Sequence, residues 1–223
     1  MRKHLTEMVF ILDRSGSMHG LEGDTIGGFN TMLEKQKNLE GEVLISTILF
    51  DHESEVLYDR IDVQSISAMT ERDYTVRGST ALLDALGGAI HHISTIHKYA
   101  RAEDRPERTL FIITTDGLEN ASRNYSREKV KRMIEHQKNN YGWDFLFLGA
   151  NIDAIETAGH FGIDATYSVN YQCDSQGMAL NYEVVSEAIA SIRCGRPLKV
   201  DWKKRIDEDY QKRGRSKDRY NRT

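Results

Sequence analysis

The sequence has few cysteines and no long apolar run, and both shortages limit what the chain can be. Its 223 residues include two cysteines, Cys173 and Cys194, which form neither a CxxC metal motif nor a disulfide framework. No stretch is apolar over the roughly eighteen residues that a membrane-spanning helix needs. The charged residues 1–7 and the short apolar run behind them differ from a signal peptide. We therefore expect a cytoplasmic protein with no membrane partner and with idle or buried thiols.

Motifs of several enzyme classes are absent as well. The sequence contains no GxxxxGK[ST] or GxGxxG loop for nucleotide phosphates, no GxSxG nucleophile elbow and no HExxH zinc motif. His91, His92 and His97 fall on one predicted helix, but their spacing does not bring them onto one face. With no catalytic constellation in the sequence, we do not expect an enzyme.

Charge divides the chain into an acidic part and a basic part. The net charge is −4, yet the residues from Arg196 onward carry about +6 and the preceding residues about −10. We predict a domain over 1–195 and a basic C-terminal extension over 196–223. A basic tail can bind nucleic acid, but the acidic body opposes such a partner, so we do not expect one.

The extension itself has an amphipathic pattern. Trp202, Ile206 and Tyr210 recur every four residues, which predicts one apolar face of a helix. This face either docks on the domain or binds a partner helix. The charged segment 212–223 predicts disorder.

Apolar β-branched runs alternate with helical periodicities along the first 195 residues. The predicted strands cover 7–13, 42–50, 55–58, 109–115, 145–148 and 166–171, and the predicted helices cover 25–39, 81–100, 126–137, 152–161 and 178–192. The short polar link after Phe50 predicts a hairpin and therefore one antiparallel strand. The remaining alternation predicts right-handed parallel crossovers. The fold class is thus α/β, with a doubly wound, mainly parallel six-stranded sheet, one antiparallel edge strand and helices on both faces.

Oxygen-bearing side chains cluster where predicted strands end. Asp13, Ser15 and Ser17 follow the first strand, Asp116 follows another, and Thr80 immediately precedes a helix. In a parallel sheet these positions share the edge at the carboxyl ends of the strands, where ligands bind. Hydroxyl and carboxylate oxygens are ligands for a hard cation, Mg²⁺ before any softer metal. We therefore predict a metal site made of these five residues.

The same three segments resemble the metal-ion-dependent adhesion site of von Willebrand factor type A domains. The matched residues are Asp13, Ser15 and Ser17 in Asp-x-Ser-x-Ser, Thr80 in Gly-Ser-Thr-Ala-Leu-Leu-Asp, and Asp116 in Ile-Ile-Thr-Thr-Asp-Gly. The resemblance covers about residues 5–192. It implies a Rossmann-like fold, a bound Mg²⁺ or Mn²⁺ and recognition of partner proteins.

The resemblance also implies how the site works. Both serine hydroxyls bind the metal directly, whereas the threonine and the aspartates bind it directly or through water. An Asp or Glu from a partner protein completes the coordination shell. Intracellular bacterial proteins of this kind often accompany AAA+ ATPases or stress-response proteins, so the resemblance implies an adaptor with such a partner.

Other interpretations of the first loop are weaker. An EF-hand that starts at Asp13 needs glycine where Met18 stands, and a haloacid-dehalogenase phosphatase needs aspartate where Ser15 stands. A metal-dependent hydrolase or phosphotransferase is the second hypothesis for function. Arg14 and Arg77 flank the predicted site, and they either attract an acidic partner or are ordinary exposed loop residues.

Two further segments contain polar residues close to the predicted site. Asp84 is predicted to be a structural hydrogen-bonding group behind the loop that carries Thr80, called here the threonine loop. Glu119 and Asn120 follow Asp116, and they either orient water at the site or cap the chain after the strand.

Overall fold

Six strands form one sheet in the computed structural model, which describes the backbone of residues 1–220 and the side chains of residues 1–213. The strands are β1 (Arg2–Asp13), β2 (Glu42–Phe50), β3 (Ser54–Asp62), β4 (Pro106–Thr115), β5 (Asp144–Gly149) and β6 (Ser168–Asn170). Their order is β3-β2-β1-β4-β5-β6, and only the β2–β3 pair is antiparallel. The predicted α/β fold class is confirmed, including the antiparallel edge strand.

The central strand β1 is buried on both faces. Met8 and Phe10 pack into one apolar core, and Val9 and Ile11 pack into a second core on the other side of the sheet. Successive side chains of a strand point to opposite faces, so a strand covered on both sides has a continuous apolar sequence. This burial explains why the first strand shows no polar alternation.

Helices cover both faces of the sheet. They are α1 (Glu22–Lys37), α2 (Leu82–Tyr99), α3 (Arg127–Tyr141), α4 (Ala154–His160) and α5 (Ser175–Arg193). The α1 and α5 helices contribute to one core, and α2, α3 and α4 contribute to the other. Among the described residues, no helix combines the length and the hydropathy needed to cross a bilayer.

Some element boundaries differ from the sequence-based prediction for local reasons. The α5 helix begins at Ser175, three residues before the predicted start, because Asp174 caps it by accepting a hydrogen bond from the Gly177 amide at 2.9 Å. The α3 helix extends past the predicted end to Tyr141, and Gly142 closes it with a φ of 65°.

The C-terminal extension docks on the domain. Its helix α6 (Lys204–Tyr220) places Ile206 in the core next to α5, where 1% of the residue is exposed. Trp202 donates its indole N–H to the carbonyl of Thr166 at 2.7 Å. The apolar face of the extension therefore docks on the domain, which is the first of the two alternatives given above.

The helix continues through part of the segment for which we predicted disorder. Its described backbone reaches Tyr220, and residues 221–223 lie outside the described part of the chain. The division into a domain over 1–195 and an extension over 196–223 stays a prediction.

Replacement of Ile206 by alanine should destabilise the whole protein. The side chain fills a site in the core, so Ile206→Ala should lower the free energy of unfolding by about 3 kcal/mol. Val200→Ala is the control, because Val200 is 81% exposed in the same extension. Urea denaturation of both variants measures the difference. Equal midpoints for the wild type and Ile206→Ala would contradict the docking of α6.

Candidate metal centre

Asp13 is the last residue of β1, and both of its carboxylate oxygens accept hydrogen bonds from the protein. Oδ1 accepts the backbone N–H of Ser15 at 2.7 Å, and Oδ2 accepts the hydroxyl of Thr115 at 2.6 Å. Only 1% of the residue is exposed. The carboxylate is therefore fixed at the junction between β1 and β4, and it sets the direction in which the first loop leaves the sheet.

The first loop turns back on itself in a short 3₁₀ helix (Gly16–Met18). This turn brings the Ser15 and Ser17 hydroxyl oxygens to 3.1 Å from each other. The Ser17 hydroxyl also donates to Oδ1 of Asp116 at 2.5 Å, across from the end of β4. Gly16 permits a close approach to the loop that leads to Thr80. Its N–H donates to the Gly78 carbonyl at 3.0 Å, and a Cβ atom on Gly16 would lie 3.3 Å from the same oxygen.

Thr80 completes a ring of hydroxyls around Gly117. A Cβ atom on Gly117 would lie 3.0 Å from the Thr80 hydroxyl oxygen, 3.4 Å from that of Ser17 and 3.9 Å from that of Ser15. Since glycine has no Cβ, three oxygens border a small volume that no side-chain atom of Gly117 fills. The structure thus brings together all five residues that the sequence predicted, including Asp13 and Asp116.

The two carboxylates of this site lie in surroundings that oppose their charge. Burial raises the pKa of Asp13, and the nearby charge of Asp116 acts in the same direction, while hydrogen bonds from Thr115 and Ser15 lower it. Burial likewise raises the pKa of Asp116 against the hydrogen bonds of Ser17 and Cys173. A bound cation would offset this cost and keep both groups ionised.

The donor set fits a hard divalent cation. Three hydroxyls and two carboxylates supply only oxygen, which Mg²⁺ and Mn²⁺ prefer. Among the described residues, no group of three or more His, Cys, Asp or Glu side chains is arranged to hold a metal ion. The candidate centre is consistent with that finding, because three of its five donors are hydroxyls.

Cys173 borders the site without joining the oxygen ring. Its sulfur lies 3.8 Å from Oδ2 of Asp116, and the residue is partly buried. Burial, with the charge of Asp116, raises the pKa of this thiol to about 12. With no cation beside it the thiol therefore stays protonated at neutral pH, which agrees with the expectation of an idle or buried thiol.

The loop after β4 holds Thr80 in place. The Thr80 amide donates to the side-chain oxygen of Asn120 at 3.0 Å, and the Asn120 amide donates back to the Thr80 carbonyl at 3.0 Å. Glu119 accepts the Leu83 amide at 2.8 Å, near the start of α2. Glu119 and Asn120 therefore have a structural role, which extends from their own chain to the threonine loop. The alternative, that they orient water at the site, stays a prediction.

Asp84 has the structural role that the sequence predicted. Its carboxylate accepts the backbone N–H groups of Arg123, Asn124 and Tyr125, each at 2.9 Å. These bonds fix the segment between β4 and α3 against the first turn of α2. The threonine loop therefore has two anchors, one from Asn120 and one from Asp84.

Arg14 is buried, which corrects the interpretation of this residue as an exposed loop cation. Its Nε lies 2.9 Å from Oδ2 of Asp51, and its Nη1 lies 2.7 Å from Glu55. Only 2% of the side chain is exposed, so Arg14 cannot meet a partner. Arg77, by contrast, has 51% of its side chain exposed and also donates to Oδ2 of Asp51, at 2.8 Å.

Asp51 is the residue that the sequence analysis missed. The carboxylate is fully buried, and it accepts the Glu53 amide as well as both guanidinium groups. Burial alone would raise the pKa of Asp51, but the hydrogen bonds from Arg77 and Glu53 and the charge of Arg14 hold the pKa below its usual value. The only sequence signal was an acidic residue directly after a buried strand.

The fold is shared with solved structures that are distant in sequence. No protein-family model and no curated protein matches the chain. The von Willebrand factor domain of the type V pili tip protein Mfa5 from Porphyromonas gingivalis is 14% identical with a TM-score of 0.60, and the match covers 86% of this chain and 96% of that one. The von Willebrand factor type A protein from Catenulispora acidiphila is 16% identical with a TM-score of 0.57.

A third neighbour is described with a bound metal. Proximal thread matrix protein 1 from the mussel byssus, described with a zinc-occupied adhesion motif, is 12% identical with a TM-score of 0.58 over 83% of this chain and 46% of its own. The Catenulispora match likewise covers 83% of this chain but 42% of that one, so the chain spans less than half the length of these neighbours. The likeness shows a von Willebrand factor type A fold.

Removal of the Asp51 charge should destabilise the protein in a pH-dependent way. Asp51→Asn removes the buried one of the two ionic partners of Arg14 and leaves only the half-exposed Glu55, so the free energy of unfolding at neutral pH should fall by roughly 3 kcal/mol. The pKa of Asp51 is lower in the folded state than in the unfolded state. Its stabilising effect is therefore present above the unfolded pKa and is lost as the pH falls through the folded pKa.

Urea denaturation between neutral and acidic pH tests this expectation. The difference between the wild type and Asp51→Asn should shrink as the pH falls below the ordinary aspartate range. Glu71→Gln is the control, since it removes one exposed carboxylate and should cost little at any pH. A difference that stayed constant with pH would show that the Asp51 charge is not its source.

Proposed function

We propose that this protein is a metal-dependent protein-binding domain, with one Mg²⁺ or Mn²⁺ held by Asp13, Ser15, Ser17, Thr80 and Asp116. The observation that carries the proposal is the ring of three hydroxyl oxygens around Gly117, closed by the Asp116 carboxylate. Hydroxyls are neutral, so when one of the two aspartates binds through water the first coordination shell does not cancel the charge of a divalent ion. When bound, the metal would supply an electrophilic position for an Asp or Glu of a partner protein.

The surface around the site supports recognition of another molecule. Leu118 follows the ring directly and is 66% exposed, and Arg77 presents a half-exposed guanidinium beside the threonine loop. An exposed apolar side chain and a cation next to a carboxylate-binding position suit an acidic segment with an apolar neighbour. Partners of the AAA+ ATPase or stress-response type, and a cytoplasmic location, are proposed from the sequence resemblance alone.

The hydrolase or phosphotransferase alternative has no observation in its favour among the described residues. The Ser15 and Ser17 hydroxyls hydrogen-bond to each other, and Ser17 also donates to Asp116, so in this part of the structure neither hydroxyl has a histidine or lysine as partner. A serine nucleophile needs an adjacent base that can take its proton, and an aspartate is a weak one. We therefore keep protein binding as the proposed function.

Metal binding should depend on both the ligands and the space beside Gly117. Calorimetric titration with Mg²⁺ and with Mn²⁺ should show one ion per wild-type chain, and Asp116→Ala should abolish it. Gly117→Ala keeps every ligand but puts a Cβ 3.0 Å from the Thr80 oxygen, so affinity should fall by at least about tenfold.

Two variants are matched controls for this titration. Gly88→Ala adds a Cβ where no atom lies within 4 Å, and Asp104→Asn removes an exposed carboxylate before β4, at the other end of that strand from Asp116. Both should bind metal as the wild type does. Retained binding by Asp116→Ala, or equal affinities for Gly117→Ala and Gly88→Ala, would contradict the proposed ligand set.

The partner carboxylate is tested by selection of peptides from a random display library. Selection on the wild type in Mg²⁺ should enrich peptides with Asp or Glu, and the same selection with chelator, or on Asp116→Ala, should not. Replacement of that Asp or Glu by Asn or Gln should then lower the affinity of the selected peptide for the protein by at least about tenfold. If the same peptides were enriched with and without chelator, and without a preference for Asp or Glu, metal-dependent carboxylate binding would be contradicted.

A further inference from the structure

A large groove lies between α2 and α3, away from the candidate metal centre. Its volume is about 1060 Å³, and its floor contains Ile90, Met133 and Trp143. Trp143 directly precedes β5, at the opposite end of the parallel strands from Asp116. Because β4 has 10 residues, the two ends of the sheet are separated by roughly 30 Å. The groove is therefore a separate surface.

Four cations line this groove and none is neutralised by a carboxylate. Lys98, Arg105, Lys129 and Arg132 border it, and none of them forms an ion pair among the described residues. Arg105 donates to backbone carbonyls at the end of α2, at 3.1 and 3.3 Å. The chain as a whole has a net charge of −4, so this concave surface differs in sign from the protein as a whole.

One carboxylate lines the groove, and it is already engaged. Glu107 accepts the backbone N–H of His4 at 2.8 Å. Glu128 lies on α3, where its pKa is lowered by backbone and side-chain hydrogen bonds and by the charge of Arg132, but it is not part of the lining. The lining thus keeps a clear excess of positive charge, which fits an anionic ligand.

The floor of the groove is rigid because a buried ionic group supports it. Glu7 is fully buried on β1, and its carboxylate binds Arg60 at 2.6 Å and His97 at 2.5 Å. The His97 ring in turn packs edge-on against Trp143, with ring centroids 5.3 Å apart. A preformed apolar floor lowers the cost of ordering the site when a ligand binds.

Two of the aromatic rings that line the groove have covered faces. Trp143 is 4% exposed, and it stacks on Phe111 with centroids 5.4 Å apart. The Lys129 ammonium lies 4.1 Å from the centre of the Tyr125 ring, and a Cβ atom added to Gly87 would lie 2.4 Å from the same ring. Among the described Phe, Tyr and Trp residues of the lining, Tyr141 alone is more than half exposed, at 59%. Single-stranded nucleic acid stacks successive bases on several aromatic rings, so one exposed ring favours a peptide over such a strand.

We propose that the groove between α2 and α3 binds an acidic peptide segment of a partner protein, with an apolar side chain of that segment on the floor near Trp143. The acidic side chains face Lys98, Arg105, Lys129 and Arg132 on the walls. This site does not involve the metal.

A labelled peptide of glutamates with leucine at every fourth position is the probe, and fluorescence anisotropy in chelator is the measurement. The wild type should bind it with an affinity that falls as salt rises, and a peptide with glutamine in place of glutamate should bind at least about tenfold more weakly. Lys129→Glu/Arg132→Glu should lose at least about tenfold in affinity.

The control is Lys131→Glu, a charge reversal on the same helix outside the groove lining, where Lys131 lies 3.9 Å from Glu135. It should bind the peptide about as the wild type does. Trp202→Phe leaves Trp143 as the single tryptophan, and the peptide should change its fluorescence. Circular dichroism confirms that each variant is folded.

Three outcomes would overturn the proposal. The wild type fails to bind the glutamate peptide, or folded Lys129→Glu/Arg132→Glu binds it as tightly as the wild type does. Alternatively, a single-stranded oligouridylate binds the groove and the peptide does not, which assigns the surface to nucleic acid. Because every arm contains chelator, failure here leaves the metal titrations unaffected, and failure of those titrations leaves this result unaffected.

Discussion

The buried carboxylate of Asp51 accepts hydrogen bonds from two guanidinium groups, and three loops at one edge of the sheet depend on it. Arg14 lies between Asp13 and Ser15, so its bond to Asp51 fixes the loop that carries the serines. Arg77 fixes the approach to Thr80, and the Asp51 carbonyl accepts the Ala81 amide at 2.7 Å. In a buried setting such charge-assisted bonds are stronger than in water. The ring of hydroxyls is thus positioned by an ion network that contributes no ligand to it.

Carboxylates at the same edge have opposite electrostatic surroundings. Asp51 has arginines as partners, and its pKa is held low. Asp13 and Asp116 have hydroxyl, amide and thiol partners among the described residues, and burial raises the pKa of both. The fold has therefore neutralised one carboxylate internally and left two without a cation. This contrast supports the proposal that a cation binds beside Asp13 and Asp116 rather than beside Asp51.

Much of the candidate site could be predicted because each part has a local signal. Asp13 and Asp116 end apolar runs, Thr80 precedes an amphipathic helix, and the parallel topology brings such positions to one edge. Arg14 had no such signal. Its partner Asp51 is 37 residues away, and an arginine in a polar loop is usually exposed, so its burial depends on a tertiary contact that no pattern reports.

The α2–α3 groove was beyond prediction for a similar reason. Its cations come from two helices and from the connection before β4, and each looks like an ordinary exposed residue in its own segment. Only the packing of α2 beside α3 over Trp143 makes them one surface. Periodicity finds the buried side of each helix, but it does not say which exposed sides face each other.

The docking of the extension also affects the edge of the sheet that β6 forms. Trp202 donates to the carbonyl of Thr166, and Lys203 donates to that of Ser168, two residues further on. Thr166 lies in the short 3₁₀ turn before β6, and Ser168 is the first residue of β6, which is an edge strand of the sheet. The extension therefore binds two carbonyls at the start of this edge strand, and α6 packs against it. An edge strand that another part of the chain covers is less open to pairing with a foreign strand, so the docked extension should limit edge-to-edge aggregation.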